Sequence, residues 1–256
     1  MPTKVNPFPQ PTQSEIPFLL AADVDGTLLG DDEGKTGLMA FARQYAGSFR
    51  LACITGRYCW SVVRLVDEGH LPPPDFICSN VGTEILDCHD PENVIGTRYA
   101  ARIAPGWDLE AVYALGEGDG VRRQDFSDGQ PPFQAGFDWD GREETLAALR
   151  QRLTDHGRYR ILPSYGEYID VLPTGFGKGE AVRFLQQELR IPPARIVVAG
   201  DAGNDIEMFE TGFQGILPVN ALQELKNAAC QPWHYHSPYP AARGVLDGLR
   251  HFGLVE

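Results

Sequence analysis

The sequence predicts a doubly wound, Rossmann-like α/β core with a parallel sheet, interrupted by an inserted α+β cap domain. Three observations predict it. Short, nearly all-apolar runs end in Gly, Asp or Thr, the pattern of strands buried on both faces. Amphipathic helical stretches alternate with those runs, which implies right-handed crossovers between parallel strands. The middle of the chain switches to period-two alternation, the mark of an antiparallel sheet with one covered face.

In chain order, residues 1–16 carry Pro2, Pro7, Pro9 and Pro11 and read as a Pro-rich flexible arm, with no apolar segment long enough to span a membrane. The core domain is expected at 17–83 and 171–256, and the cap at 84–170. Residues 18–22 form a strand that runs into Asp23-Val-Asp25-Gly26-Thr27. A second strand, 50–54, runs into Thr55-Gly56-Arg57, and a third, 75–78, into Ser79-Asn80. In the cap, 133–139 alternates apolar and polar residues, with Phe133, Ala135, Phe137 and Trp139 on one side. Asp140 followed by Glu143 suggests a capping box for a helix carrying Leu146, Leu149 and Leu153. Residues 159–161 and 167–172 complete that sheet, and Trp107 and Tyr113 read as cap core. Residues 179–190 then place Ala181, Val182, Leu185 and Leu189 on one helix face. Strand 195–199 enters Gly200-Asp201, and a helix over 241–252 carries Val245, Leu249 and Phe252.

Composition narrows the function. The 256 residues are 43% apolar, enough for a sizeable core. Acidic residues number 35 against 22 basic ones, a formal net charge of −13. That balance argues against nucleic acid and anionic membranes as partners, since both need clustered basic charge. Five Cys with no CxxC pair disfavour disulfides and zinc and point to a reducing, cytoplasmic setting.

The chemistry concentrates at four loops. Asp23 and Asp25 stand at a strand end, where ligands bind in open α/β sheets. One carboxylate there can attack phosphorus, while the other holds the leaving-group proton and then helps deprotonate water. Asp201 and Asp205, spaced across a Gly-containing turn, suit oxygen ligation of Mg²⁺, which offsets repulsion between a carboxylate and a phosphate dianion. An EF-hand is excluded, because Gly212 or Gly34 occupies the position that requires Glu. Thr55 and Gly56 offer a hydroxyl and N–H groups to phosphate oxygens. Lys178, in Gly175-Phe-Gly177-Lys178-Gly179, offers a point cation. It is not a Walker A loop, because Leu172 and Gly179 replace the required Gly and Ser or Thr. Each loop alone also has a plain reading as turn, cap or solvated surface. Together they supply nucleophile, acid/base, hydroxyl, cation and metal carboxylates. His234-Tyr-His236 has a metal-like spacing without a third ligand and reads as structural.

The order DxDGT, TGR, Lys and GDxxND resembles the haloacid-dehalogenase-like phosphatase superfamily, and the insert between Thr55 and Lys178 resembles its subgroup with an α/β cap. Gly200 to Thr211, Pro218-Val-Asn220, His234-Tyr-His236 and Asp170-Val-Leu-Pro173 are similar to the sucrose-phosphate phosphatases. The resemblance implies Mg²⁺-dependent hydrolysis of a sugar phosphate, sucrose 6-phosphate first, through an aspartyl-phosphate. It implies Asp23 as nucleophile and Asp25 as acid/base. It places Thr55, Gly56, Lys178 and Asn204 at the phosphoryl group and Asp23, Asp25, Asp201 and Asp205 at the metal, Asp25 through its backbone carbonyl. Asp25 with Asp201 argues against dehalogenation. In the central cap strand the sucrose-phosphatase pattern tends to carry Lys, whereas Gln134 stands at the nearest position here. Gln134 and Asp138 share a side and suit sugar hydroxyls. That departure leaves hexose 6-phosphate, mannosylfructose phosphate and glucosylglycerol phosphate open as substrates. A phosphomutase and a non-catalytic partner of a glycosyltransferase are the alternatives, and association with a sugar-phosphate synthase is a further expectation.

Overall fold

The computed structural model describes residues 17–126, 129–156, 159–164 and 168–256, so the expected arm at 1–16 lies outside them. In chain order the elements of the first half are β1 (Phe18–Ala22), α1 (Asp32–Gln44), β2 (Phe49–Ile54), α2 (Cys59–Asp67), β3 (Phe76–Ser79), β4 (Glu84–Asp87), α3 (Val94–Ile103), α4 (Leu109–Gly116) and β5 (Val121–Arg123). They continue as β6 (Ala135–Trp139), α5 (Glu143–His156), β7 (Tyr159–Ser164), β8 (Tyr168–Pro173), α6 (Lys178–Leu189) and β9 (Ile196–Ala199). The chain closes with α7 (Ile206–Phe209), β10 (Gln214–Leu217), α8 (Gln223–Ala228), β11 (His234–His236) and α9 (Ala241–His251). Two compact units emerge: residues up to Gly96 together with Lys178–Glu256, and Thr97–Gly177.

The first unit holds a seven-stranded sheet in the order β11-β10-β9-β1-β2-β3-β4. All neighbours from β11 to β3 are parallel, as their all-apolar runs predict. The order reverses at β1: β2 and β3 extend to one side, β9 to β11 to the other. Ala22 at the end of β1 sits level with Cys53 of β2 and Ala199 of β9. The loops after these three strands therefore open side by side at the switch point, where ligands bind in such sheets. On one face, Leu38 and Phe41 of α1, Val62 of α2, and Val245 and Leu249 of α9 pack with Leu20, Ala22, Cys53 and Ile216.

The second unit is an antiparallel sheet in the order β5-β6-β8-β7. Val112 and Tyr113 of α4 and Leu146, Leu149 and Leu153 of α5 cover Ala135 and Phe137 of β6 and Ile169 and Val171 of β8. Trp107 packs against the same core.

The structure moves both expected cap boundaries. Residues 84–87 pair antiparallel with β3, where Leu86 and Ile85 meet Ile77 and Cys78, so they extend the first unit's sheet. At the other end, β8 must run to Pro173 to complete the antiparallel ladder with β7. Its start at 167 lies outside the described residues. Asp140 is not the expected helix cap. Helix α5 begins only at Glu143, and Asp140 Oδ1 accepts the Arg142 N–H at 3.1 Å instead. No helix among the described residues is long and apolar enough to cross a membrane.

Candidate active site

Asp23 leaves the end of β1 with its N–H bonded to the Ala199 carbonyl of β9 at 2.9 Å. The chain then turns at Gly26, where φ is +76°. A Cβ at this position would collide with Asp201 Oδ2, so only glycine lets the turn approach that carboxylate. Thr27, fully buried, donates from Oγ1 to Asp201 Oδ1 at 3.2 Å.

After β9 the chain folds around Asp205. Its Oδ2 accepts the N–H groups of Asp201 and Ala202 at 2.9 and 3.0 Å. Its Oδ1 accepts from Lys178 Nζ at 2.6 Å, and the same ammonium donates to Asp23 Oδ1 at 2.6 Å. Lys178 and Asp205 are wholly buried and Asp23 nearly so. Burial works against charge on Lys178, but the carboxylates of Asp205 and Asp23 outweigh it and hold the ammonium above its ordinary pKa. Burial pushes Asp23 up to about 7 against the pull of Lys178. Burial, then the nearby Asp205 charge, raises Asp201 to about 6.

Oxygens of Asp23, Asp201 and Asp205 lie within 4.8 Å of one another. Three carboxylates thus face one ammonium in a water-poor site, an imbalance that a cation would relieve. The all-oxygen donor set suits a hard ion, so these residues fit Mg²⁺.

The loop after β2 supplies a second layer. Thr55, buried, accepts the Arg57 N–H on Oγ1 at 3.0 Å, which leaves its own hydroxyl proton to donate. Val81 and Asn80 donate backbone N–H groups to the carbonyls of Thr55 and Arg57 at 2.9 and 3.1 Å. Arg57 grips Asp25 with two bonds, Nε to Oδ2 at 2.6 Å and Nη2 to Oδ1 at 2.7 Å.

The structure therefore gathers Asp23, Lys178, Asp201 and Asp205 as the sequence predicts, with Thr55 on the neighbouring strand end. It does not gather the rest. The Asp25 side chain is 54% exposed, paired with Arg57, and outside the carboxylate group. Asn204 and Gly56 stand exposed in their loops. Both Asp205 oxygens are already engaged, which makes it a holder of the loop and of Lys178. In the second unit, Gln134 is buried and donates to Asp170 Oδ1 at 2.6 Å, while Asp138 is half-buried. Sequence reasoning missed the Arg57–Asp25, Thr27–Asp201 and Gln134–Asp170 pairs. For the last the signal was present: Asp170 is an acid between the apolar residues Ile169 and Val171. His234-Tyr-His236 forms edge strand β11, with His236 Nε2 3.0 Å from the Ala229 carbonyl.

Residues 16–253 match the family described as sucrose-6F-phosphate phosphohydrolase. Mannosylfructose-phosphate phosphatase of Agrobacterium fabrum is 32% identical over 247 residues, which span 92% of this chain and 97% of that protein. A glucosylglycerol-phosphate synthase of Pseudomonas anguilliseptica is 30% identical over 93% of this chain but only 31% of its own length. The structure of the Synechocystis sucrose-phosphatase, in complex with sucrose and phosphate, superposes with a TM-score of 0.82 at 28% identity, covering 92% of this chain and 98% of that one. The chain belongs to the sucrose-6F-phosphate phosphohydrolase family, among the haloacid-dehalogenase-like phosphoric monoester hydrolases.

Proposed function

We propose that the protein hydrolyses a sugar phosphate monoester with Mg²⁺ through a covalent Asp23-phosphate. The observation that carries this reading is the buried Asp23–Lys178–Asp205 arrangement beside Asp201. Lys178 holds Asp23 Oδ1, leaving Oδ2 as the attacking atom. That oxygen attacks phosphorus, the bond from phosphorus to the sugar oxygen breaks, and Asp25 gives that oxygen a proton. A water, deprotonated by Asp25, then attacks that phosphorus, the bond from Asp23 Oδ2 to phosphorus breaks, and inorganic phosphate leaves with the Asp23 carboxylate restored.

Asp25 must leave Arg57 to do this. The pair is solvated enough that little holds it closed. Thr55, Gly56, Asn204 and Lys178 are assigned to the phosphoryl oxygens. Mg²⁺ would be held by Asp23, Asp201 and the Asp25 carbonyl, with Asp205 behind them. When bound it offsets the negative charge shared by the carboxylate and the phosphate.

Leaving-group recognition is assigned to the second unit, through Gln134 and Asp138. Gln134 Oε1 is buried and has no hydrogen-bond partner among the described residues, an acceptor suited to a sugar hydroxyl. Sucrose 6-phosphate is the first candidate substrate. The 32% identical relative favours mannosylfructose phosphate as a second reading, and both molecules contain a fructosyl group. The match to one region of a synthase supports association with a sugar-phosphate synthase. The test is phosphate release across sucrose 6-phosphate, mannosylfructose phosphate, glucosylglycerol phosphate and hexose 6-phosphates, with Mg²⁺ and with chelator. Metal-dependent release favouring a fructosyl disaccharide is expected. No release from any of them, or release that survives chelation, contradicts the reading.

A further inference from the structure

Asn220 lies in the loop after β10, and the chemistry above does not use it. Its Nδ2 donates to the Gly26 carbonyl at 2.8 Å, across 194 residues of sequence. Its Oδ1 accepts the Ala241 N–H at 2.8 Å, at the head of α9, where Ala241 holds a φ of +43°. Two residues on, the Leu222 N–H donates to the Asp201 carbonyl at 2.7 Å. Residues 220–222 therefore grip three elements at once: the loop of Asp23 and Asp25, the loop of Asp201, and the first turn of α9. Helix α9 is anchored in turn by Arg243, which pairs with Asp31 and Glu33 at 2.7 Å each. The Gly26 turn has no slack on its other side, since even a Cβ there would collide with Asp201.

We infer that Asn220 is a positioning residue: its carboxamide fixes the Gly26 carbonyl, and so sets the separation of the Asp23 and Asp201 carboxylates on which cation binding depends. The donor half of the side chain serves the site, and the acceptor half satisfies a free N–H at the start of α9. The cation's role rests on the phosphatase reading; the bracket itself does not.

The two halves can be separated. N220D keeps the acceptor for Ala241 but sets an oxygen against the Gly26 carbonyl, whereas N220A removes both bonds. Binding of Mg²⁺ or Mn²⁺ alone to the substrate-free protein is measured by calorimetry, beside the melting temperature, kcat and KM. In N220D, metal affinity is expected to fall roughly ten- to a hundred-fold, as for other residues that orient a metal ligand from behind. Its melting temperature stays near the parent's, and kcat falls while KM for the sugar phosphate holds. The charge added in N220D would by itself favour a cation, so a loss reports geometry. N220A should show the same metal loss with a lower melting temperature. Parental metal affinity in either variant overturns the inference and leaves the phosphatase reading standing. A parent protein that binds no metal overturns that reading, and the inference with it.

Discussion

The two units bury polar groups in different ways. In the first, Lys178 at the start of α6 joins Asp23, which lies 155 residues away at the end of β1, to Asp205 in the turn after β9. Each group there is constrained by several partners, so a change at one disturbs all. In the second, a single bond links Gln134, just before β6, to Asp170 on the neighbouring strand β8. We propose that chemistry is built into the parallel sheet and selectivity into the Gln134–Asp170 pair on the insert.

The largest test of this contrast is Asp23→Asn, which should cut phosphate release on the order of 10⁴-fold or more while circular dichroism stays parental. Near-normal turnover would sink the mechanism. Lys178→Met should be inactive and also unstable, by roughly 3–5 kcal/mol, because it strands two buried carboxylates. Without the pull of Lys178, burial holds Asp23 still further above its unfolded value. The deficit is therefore smallest below about pH 4 and grows as pH rises. Thermal melts across pH check this, and a deficit that shrinks with rising pH would contradict it.

The parent protein should show a milder form of the same linkage. Burial raises Asp23 to about 7 and Asp201 to about 6, so without metal they stabilise the fold fully only below their unfolded values, and that contribution is lost as pH climbs through 6 and 7. On the proposed function Mg²⁺ would bind the ionised forms, so it should raise the melting temperature more at pH 8 than at pH 5. At a hundred times its dissociation constant the gain is about 2.7 kcal/mol. An equal or reversed pH effect would break the link between these carboxylates and the metal.

The smallest effect is assigned to the insert. Gln134→Ala should raise KM for the preferred sugar phosphate about tenfold and leave a small aryl phosphate unchanged. Loss on both substrates would place Gln134 in the fold or the chemistry and erase the contrast.

The same contrast explains what the sequence made visible. Strands β1, β2 and β9 read plainly because they are buried on both faces and end in Asp, Thr or Gly. Asp23 and Asp201 follow from standing just past those ends, and Lys178 from opening a helix after a Gly-rich loop. The Arg57–Asp25 pair was hidden because both side chains are partly exposed and join loops 32 residues apart. Asn220 carries no signal of its own in the sequence, since its hydrogen bonds depend on where β10 falls in the sheet. Strand β4 was placed in the cap because four residues with one fully buried side chain carry too little periodicity to betray a sheet edge.

The central claim is that Asp23 carries the phosphoryl group. Acid-quenching the protein during the first turnover of a labelled sugar phosphate, with Asp25→Asn used to slow release, tests it most directly. A hydroxylamine-labile phosphoryl group is expected on the peptide containing Asp23, absent from Asp23→Asn. Label on another residue, or turnover with no protein-bound label in either background, would contradict it.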